Sequence, residues 1–544
     1  DSNTTASNSV AIGMNALGVN TTGTQNVAVG YQTLDACTTG SYNTAVGVEA
    51  LSASTTASFN DAFGRYALQD NTSGHNNSAF GVGTMMENTT GAENTAVGSN
   101  ALQQNTTASY NVAVGRLALA ANTTGAYNIA VGGTALDANT TANYNTAVGY
   151  GALSENTTAG SNVAVGTNAL LANTTGADNV AVGMATLDAN TTGASNVAVG
   201  KSALGANTTG TQNTAIGLEA LLANTTGQDN TGVGRRALDA NTTGGFNIGV
   251  GGHALSANTT ANGNVAVGYS SLSLNTTGAN NTAVGQYALR NLLTTGSNTA
   301  VGNYAAADLD TGENNVAIGN YAGCSDQNGT TSGSSNVSVG HYSGMKLSTG
   351  GSNSFVGAGS GLSVTTGATN TCLGVEAGHD LTSGSNNLLL GSAAGRSTSP
   401  SGQIQTGSNA VCLGNNNISN LYCADTSIDS SDARDKTDIT DFTNGLNWIN
   451  QLKPVTYRWD RRSWYSEDLS ITPDGSKKRN RKHIGFLAQD VLAIEGNPTN
   501  KDDMLVVNLN EDDTAYGIKY ARLVPVLVNA VKELSAKVTA LEAK

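Results

Sequence analysis

Six consecutive residues, Ser431-Asp432-Ala433-Arg434-Asp435-Lys436, place a serine hydroxyl five positions ahead of a lysine amine. Such a pair can do nucleophilic chemistry: the serine needs a neighbouring base, and a lysine becomes one when desolvation removes its proton. Asp435 works against this, because a carboxylate close to an ammonium holds the proton on. Taken alone, Ser-Asp-x-x-x-Lys is a helix start with a capping serine. Other reactive residue types offer less. The five cysteines (Cys37, Cys324, Cys372, Cys412, Cys423) are odd in number and lack metal-ligand spacing, which argues against a disulfide framework and is compatible with assembly in a reducing cytoplasm. His75, His253, His341, His379 and His483 are scattered, so neither metal nor cofactor is expected. Asp137, Asp188 and Asp239 stand before Ala at matching positions and read as solubilising residues. A glycan-cleaving enzyme would need a pair of carboxylates in a cleft, and no activity on external substrates is expected.

The element that must carry these residues is set by glycine. From Gly13 to Gly319 a glycine returns every seventeen residues without a slip, nineteen in all. After a four-residue insertion the frame resumes at Gly340, Gly357, Gly374 and Gly391, and after six more at Gly414. A short fixed period marks a solenoid. In the copy Asn162–Asp178, Val163 and Val165 alternate with Ala164, a strand with a β-branched face and a small one. Gly166 permits a bend or close backbone approach, Ala169-Leu170 supplies a second short extended piece, and Asn173-Thr174-Thr175-Gly176 is turn chemistry. Each copy is thus one turn of a parallel β-solenoid. Twenty-four turns stacked at about 4.8 Å make a rod on the order of 115 Å long. A turn this thin buries few apolar side chains, which favours several chains sharing one interior.

The segments Asn8-Ser9-Val10-Ala11-Ile12-Gly13 and Asn315-Val316-Ala317-Ile318-Gly319 resemble the Val-Ala-Ile-Gly repeats of trimeric autotransporter adhesin heads. That resemblance, over about 410 residues, implies parallel β-rolls of three chains side by side. Equivalent positions then form columns. Asn3, Asn20, Asn71, Asn88 and every seventeenth residue to Asn275 form one, interrupted by Cys37 and Ser54; Asn26, Asn43, Asn60, Asn77 and Asn94 begin another. Stacked Asn side chains hydrogen-bond along a parallel array, and this outweighs reading Asn-Thr-Thr as a glycosylation acceptor. Aromatics gather in two variable slots: Tyr42, Phe59, Tyr110, Tyr127, Tyr144 and Phe246 before the column Asn, and Tyr66, Tyr287, Tyr304, Tyr321 and Tyr342 two after the glycine. They suit packing between chains or stacking on sugar rings.

Composition changes after about Asn420, where Trp448, Trp459, Trp464, Pro454 and basic clusters appear together. The hexapeptide at Ser431 is followed by Leu452-Lys453-Pro454-Val455-Thr456-Tyr457-Arg458-Trp459, by His483-Ile484-Gly485-Phe486-Leu487-Ala488-Gln489-Asp490-Val491, and by Tyr520-Ala521-Arg522-Leu523-Val524-Pro525-Val526-Leu527. In that order these segments resemble the endosialidase-type intramolecular chaperone of phage tail fibres and tailspikes. The resemblance implies a small α/β domain that trimerises, templates folding of the β-structured fibre and cuts itself off at the serine. Ser431 would attack the carbonyl of Ser430 with Lys436 as base. The last segment has coiled-coil spacing at Leu527, Val531, Leu534, Val538 and Leu541. The run Lys477-Lys478-Arg479-Asn480-Arg481-Lys482 reads as a solvated loop.

The net charge of −14 lies wholly on residues 1–429, since residues 430–544 hold equal numbers of acids and bases. An acidic rod disfavours nucleic acid as a partner. No stretch is apolar enough to span a membrane, no signal peptide is visible, and a start at Asp1 without Met suggests that an N-terminal part is missing. The expected organisation is a solenoid shaft over 1–415, a linker over 416–430 and a chaperone and trimerisation domain over 431–544. The expected protein is a homotrimeric viral tail or surface fibre, made in the host cytoplasm and carried on the virion, which attaches to a host glycan or protein receptor. A cellular trimeric adhesin on an extracellular surface is the alternative.

Overall fold

A computed structural model describes residues 4–324, 331–418, 439–462, 465, 471–509 and 516–544, in two compact units, Asp1–Asn314 and Asn315–Lys544. The first unit is a parallel β-solenoid whose strands, β1 (Val10–Ile12) to β18 (Thr299–Val301), are three residues long. β10 (Val163–Val165) lies on β11 (Val180–Val182) with Val163 opposite Val180, Ala164 opposite Ala181 and Val165 opposite Val182. The second unit opens with six such strands, β19 (Val316–Ile318) to β24 (Val411–Leu413). The two insertions leave the register intact, because Val316 still pairs with Val337 and Leu388 with Val411.

The alternation in each strand resolves with the small residue inward. Ala164, Ala169 and Leu170 are fully buried, while Val163 and Val165 face outward. The interior allows little more than a methyl group there: at Gly232, the equivalent strand centre, an added Cβ would lie 3.2 Å from Leu221 Cγ. The piece around Ala169-Leu170 is not extended, contrary to the sequence reading. It is a turn in which Asn168 (φ 57°) and Leu170 (φ 53°) are both left-handed. A leucine held there costs about 1–2 kcal/mol. Burial of its side chain and a 3.0 Å bond from its amide to the Thr186 carbonyl offset that cost. Gly166 has φ 137° and lies so close to the next turn that a Cβ would overlap the Gly183 carbonyl.

Two asparagine ladders run through the first unit. In one, the Asn162 carboxamide accepts from the Asn179 amide at 3.0 Å and donates to the Gly176 carbonyl at 3.0 Å. In the other, Asn173 Nδ2 donates to Asn156 Oδ1 at 3.1 Å and to the Gly176 carbonyl at 2.9 Å. Their members are buried, and each stacks on its equivalent one turn away, as the columns in the sequence implied. The second ladder stops where the sequence stops supplying it. Leu292 occupies the place after Asn275, and Asn275 Oδ1 is buried without a partner among the described residues.

In the second unit the interior is filled differently. The strand centres enlarge to Ser338, Phe355, Cys372 and Leu389, while the corner held by Leu in nearly every turn of the first unit becomes Gly344, Gly361, Gly378 and Gly395. A Cβ on Gly361 would run into the Phe355 ring, so the volume has moved from corner to strand. The place of the second Asn ladder is taken by Leu347, Val364 and Leu381, which join Phe355, Cys372, Leu389 and Ile404 in one apolar cluster. The first ladder continues through Asn336, Asn353, Asn370 and Asn387.

The rest of this unit is a small α/β assembly. Helix α1 (Leu446–Ile449), the antiparallel pair β25 (Val455–Tyr457) and β26 (His483–Gly485), helix α2 (Ala488–Ile494), the antiparallel pair β27 (Val507–Leu509) and β28 (Tyr516–Ile518), and helix α3 (Leu523–Glu542) follow in order. Trp448, Val491, Met504, Val506, Val507, Leu523 and Val526 form its core. Among the described residues no helix is long and apolar enough to cross a membrane.

Candidate self-association and processing site

Helix α3 carries the predicted seam. It begins at a 3-10 turn over Tyr520–Arg522, and Pro525 fits its first turn because the missing amide hydrogen has no partner there anyway. One side faces the core through Leu523, Val526 and Ala530. Asn529 Nδ2 donates to the Phe442 carbonyl at 2.6 Å, and the Glu533 carboxylate accepts from the Leu446 amide at 3.2 Å. These contacts fix the helix on α1. The adjoining face holds Leu527, Val531, Leu534, Val538 and Leu541, which are 44–70 % exposed. They form an apolar stripe with the heptad spacing of a coiled-coil seam. The inward set was not read from the sequence, where Val526 and Ala530 stand beside the heptad and carry no separate mark.

Around α3 the module is held by polar contacts. The Glu495 carboxylate accepts from the amides of Val506 (2.6 Å) and Val507 (3.3 Å), tying α2 to β27. The Tyr520 hydroxyl accepts from the Phe486 amide at 3.1 Å, which joins two of the four segments that carried the family resemblance. Burial raises the Tyr457 phenol. Arg461 sits 4.4 Å from the Trp459 ring centroid, and burial lowers its guanidinium. The basic run from Lys477 to Lys482 is exposed, as a solvated loop should be.

Ser430, Ser431, Asp435 and Lys436 lie outside the described residues, as do Asn3, Cys423 and Trp464. Among the described residues no group of three or more His, Cys, Asp or Glu side chains could hold a metal. Cys37, Cys324, Cys372 and Cys412 are buried and in no disulfide, and burial pushes the Cys372 thiol up to about 12, which makes it a poor nucleophile. The amides of the Asn-Thr-Thr turns are committed to the ladder and inaccessible. The aspartates are not simple surface charges: Asp137 Oδ1 accepts from Ser154 Oγ at 2.6 Å, and burial raises the carboxyls of Asp35, Asp188 and Asp239.

The two aromatic slots differ in geometry. Tyr110, Tyr127 and Tyr144 stack nearly parallel at 4.9 and 5.3 Å, so the middle ring has both faces covered and presents its edge. Tyr287 and Tyr304 are tilted by 42°, and Tyr269, which the sequence reading did not place with them, meets Tyr287 at 86°.

Residues 431–499 match the family described as the chaperone of endosialidase. The match begins at Ser431, the residue singled out by its chemistry. It covers α1, β25, β26 and α2 and, of the core residues, Trp448 and Val491, and it follows the solenoid strands in the sequence. No curated protein matches the chain in sequence.

Proposed function

We propose that this chain is a homotrimeric fibre of a virion, attached to a host surface glycan or protein receptor, whose C-terminal module directs its own assembly. The reading divides the chain into a shaft over 1–415, a linker over 416–430 and the module over 431–544. The observation that carries it is the chaperone match over 431–499, placed beyond twenty-four solenoid strands. Such a shaft needs an external guide. Asn173 stacks on Asn156, and Asn190 would serve almost equally well. A seventeen-residue slip therefore leaves nearly every interior contact in place, and local physics does not select one register. Joining three chains at α3 through Leu527, Val531, Leu534, Val538 and Leu541 would fix the ends and select it.

After folding, Ser431 attacks the Ser430 carbonyl: its Oγ forms an ester with Ser430, the Ser430–Ser431 amide breaks, and Lys436 takes the hydroxyl proton and returns it to the leaving amine. Water then cleaves the ester, releasing residues 431–544. Synthesis ending at Ser430 should give aggregated or unfolded repeats; a normal trimer at normal yield refutes the chaperone role. Denaturing mass spectrometry should find the 431–544 fragment from the native sequence and none from Ser431→Ala or Lys436→Ala. A native chain still intact after long incubation as a folded trimer leaves the module as a permanent tip.

A further inference from the structure

The outward strand positions form a surface with an unusual rule. The third residue of each strand is Ile12, Val29, Val46, Phe63, Phe80 and so on to Leu413, and all twenty-four are Val, Ile, Phe or Leu. The first residues are Val, Thr, Ser, Ile or Leu, with Asp61 the single exception. Yet this face is open to solvent: Val131, Val148, Val165, Val182, Val199 and Ile216, six turns in succession, are each 36–41 % exposed. Charge is not scarce on the neighbouring columns. Arg65, Arg116, Lys201 and Arg235 directly follow the turn glycine, and Glu49, Glu219 and Arg236 stand one place further. Selective loss of charge from one strip of the surface is the compositional mark of an interface core. Within the first unit alone the strip runs through eighteen strands. That exceeds the few hundred Å² of contiguous apolar surface that monomers expose and reaches the roughly 800 Å² per partner of a stable interface.

We infer that this valine strip is where parallel copies of the chain meet, with each strand facing the equivalent strands of its partners at the same height. The inference rests on the trimer reading and adds the contact face to it. Periodicity identifies the occupant. The strip repeats at the strand spacing of about 4.8 Å, and a partner that keeps every turn in contact must repeat at the same spacing. A globular partner would cover a few turns and leave the remainder exposed, whereas a second solenoid of this sequence matches along the full strip. Cyclic symmetry about an axis along the stack sets identical residues at one level. Asp61 then brings like charges together, next to the stacked pair Phe63 and Phe80 (4.9 Å), and is the strip's one destabilising position.

Sedimentation of the unsubstituted chain comes first: a monomer overturns the trimer reading and the strip with it. In a chain that sediments as a trimer, Val165→Cys treated with a short bis-maleimide should yield covalent dimers on a denaturing gel. Thr175→Cys, in the turn, should stay monomeric there, and the unsubstituted chain sets the background from its own cysteines. Linking through Thr175→Cys but not Val165→Cys overturns the strip while leaving the trimer standing. Asp61→Val supplies a test that needs no new reactive group. The trimer's thermal midpoint should rise by several degrees if Asp61 lies between chains, and an unchanged midpoint with lowered solubility overturns the proposal.

Discussion

The turns around Asn173 and the turns around Val364 share a backbone and differ in almost everything it encloses. Around Asn173 the strand centre is Ala, the corner is Leu, and the seventh place after the glycine is an amide bonded to its neighbours above and below. Around Val364 the strand centre is Phe355, the corner is Gly361, and the seventh place is apolar from Leu347 to Leu381. Both keep the turn glycine and the ladder that includes Asn162 and Asn370. The difference separates what the fold requires from what it exchanges. The glycine and the first ladder serve backbone groups and are kept in both. Volume can pass between strand and corner if the sum holds, and the second column can be polar or apolar provided it is continuous.

The largest expected effect comes from breaking that exchange of volume. Phe355→Ala leaves both the strand centre and the corner small, and should cost about 3–5 kcal/mol. Gly361→Leu alone should also destabilise, because its side chain meets the Phe355 ring. The double variant reproduces the arrangement of Ala164 with Leu170, and the corner suits it, since Gly361 (φ 61°) and Leu170 (φ 53°) share a conformation. Thermal unfolding with hydrogen exchange at neighbouring amides should show the double variant more stable than Phe355→Ala. If it is not, volume is not what the two regions trade.

Next in size is the polarity of the second column. Val364→Asn puts one amide between Leu347 and Leu381 with no partner of its kind, a cost of about 1–3 kcal/mol. Replacing Leu347, Val364 and Leu381 together by Asn should recover part of the loss, since each amide then finds the next. A triple variant with the summed losses of its single substitutions would show that the column's surroundings, rather than its continuity, decide.

Much of this comparison was written in the sequence and part of it was not. The glycine period and the two Asn columns required only spacing, because hydrogen bonding between identical side chains depends on stacking alone. The direction in which Val163-Ala164-Val165 faces was not legible: alternation separates two faces without saying which is inside. The corner at Leu170 was hidden by a reasonable rule, that leucine avoids left-handed backbone, which a fully enclosed side chain overrode. The exchange of Phe355 for Gly361 becomes visible only when the two are brought together in space. In the C-terminal module helix α3 and its exposed apolar row followed from the heptad spacing, whereas the adjoining face, packed on the module's core, did not. The chemistry at Ser431 and Lys436 rests on residue types and on the family match that starts there.

A smaller effect should come from mending the end of the ladder. Leu292→Asn would offer Nδ2 to the buried, unpartnered Asn275 Oδ1 and extend the polar column by one turn. The new carboxamide's own Oδ1 would then face the buried Leu309, so the net change should stay within about 1 kcal/mol, read as slower hydrogen exchange of the Asn275 and Thr276 amides. A loss would place the requirement at Leu292 itself, whose side chain is buried.

The smallest effect concerns the aspartates beside the corner. Burial is the largest cause of the raised Asp188 carboxyl, and bonds from the amides of Asp188 and Ala189 oppose it without cancelling it. An acid whose folded pKa lies above its unfolded value destabilises the fold wherever it is charged in both states. That penalty is complete above the folded pKa, diminishes as pH falls through it, and vanishes below the ordinary carboxylate value of 3.8. Asp188→Asn should therefore raise the thermal midpoint at pH 7 and leave it unchanged near pH 3. Asp239→Asn should gain less, because Arg236 already favours its charged form and that attraction would be lost. Midpoints of both variants against pH separate the causes: equal gains would assign the shift to burial alone, and a gain at pH 3 that matches the gain at pH 7 would mean that the amide helps by its hydrogen bonds and the carboxyl's titration has no part in it.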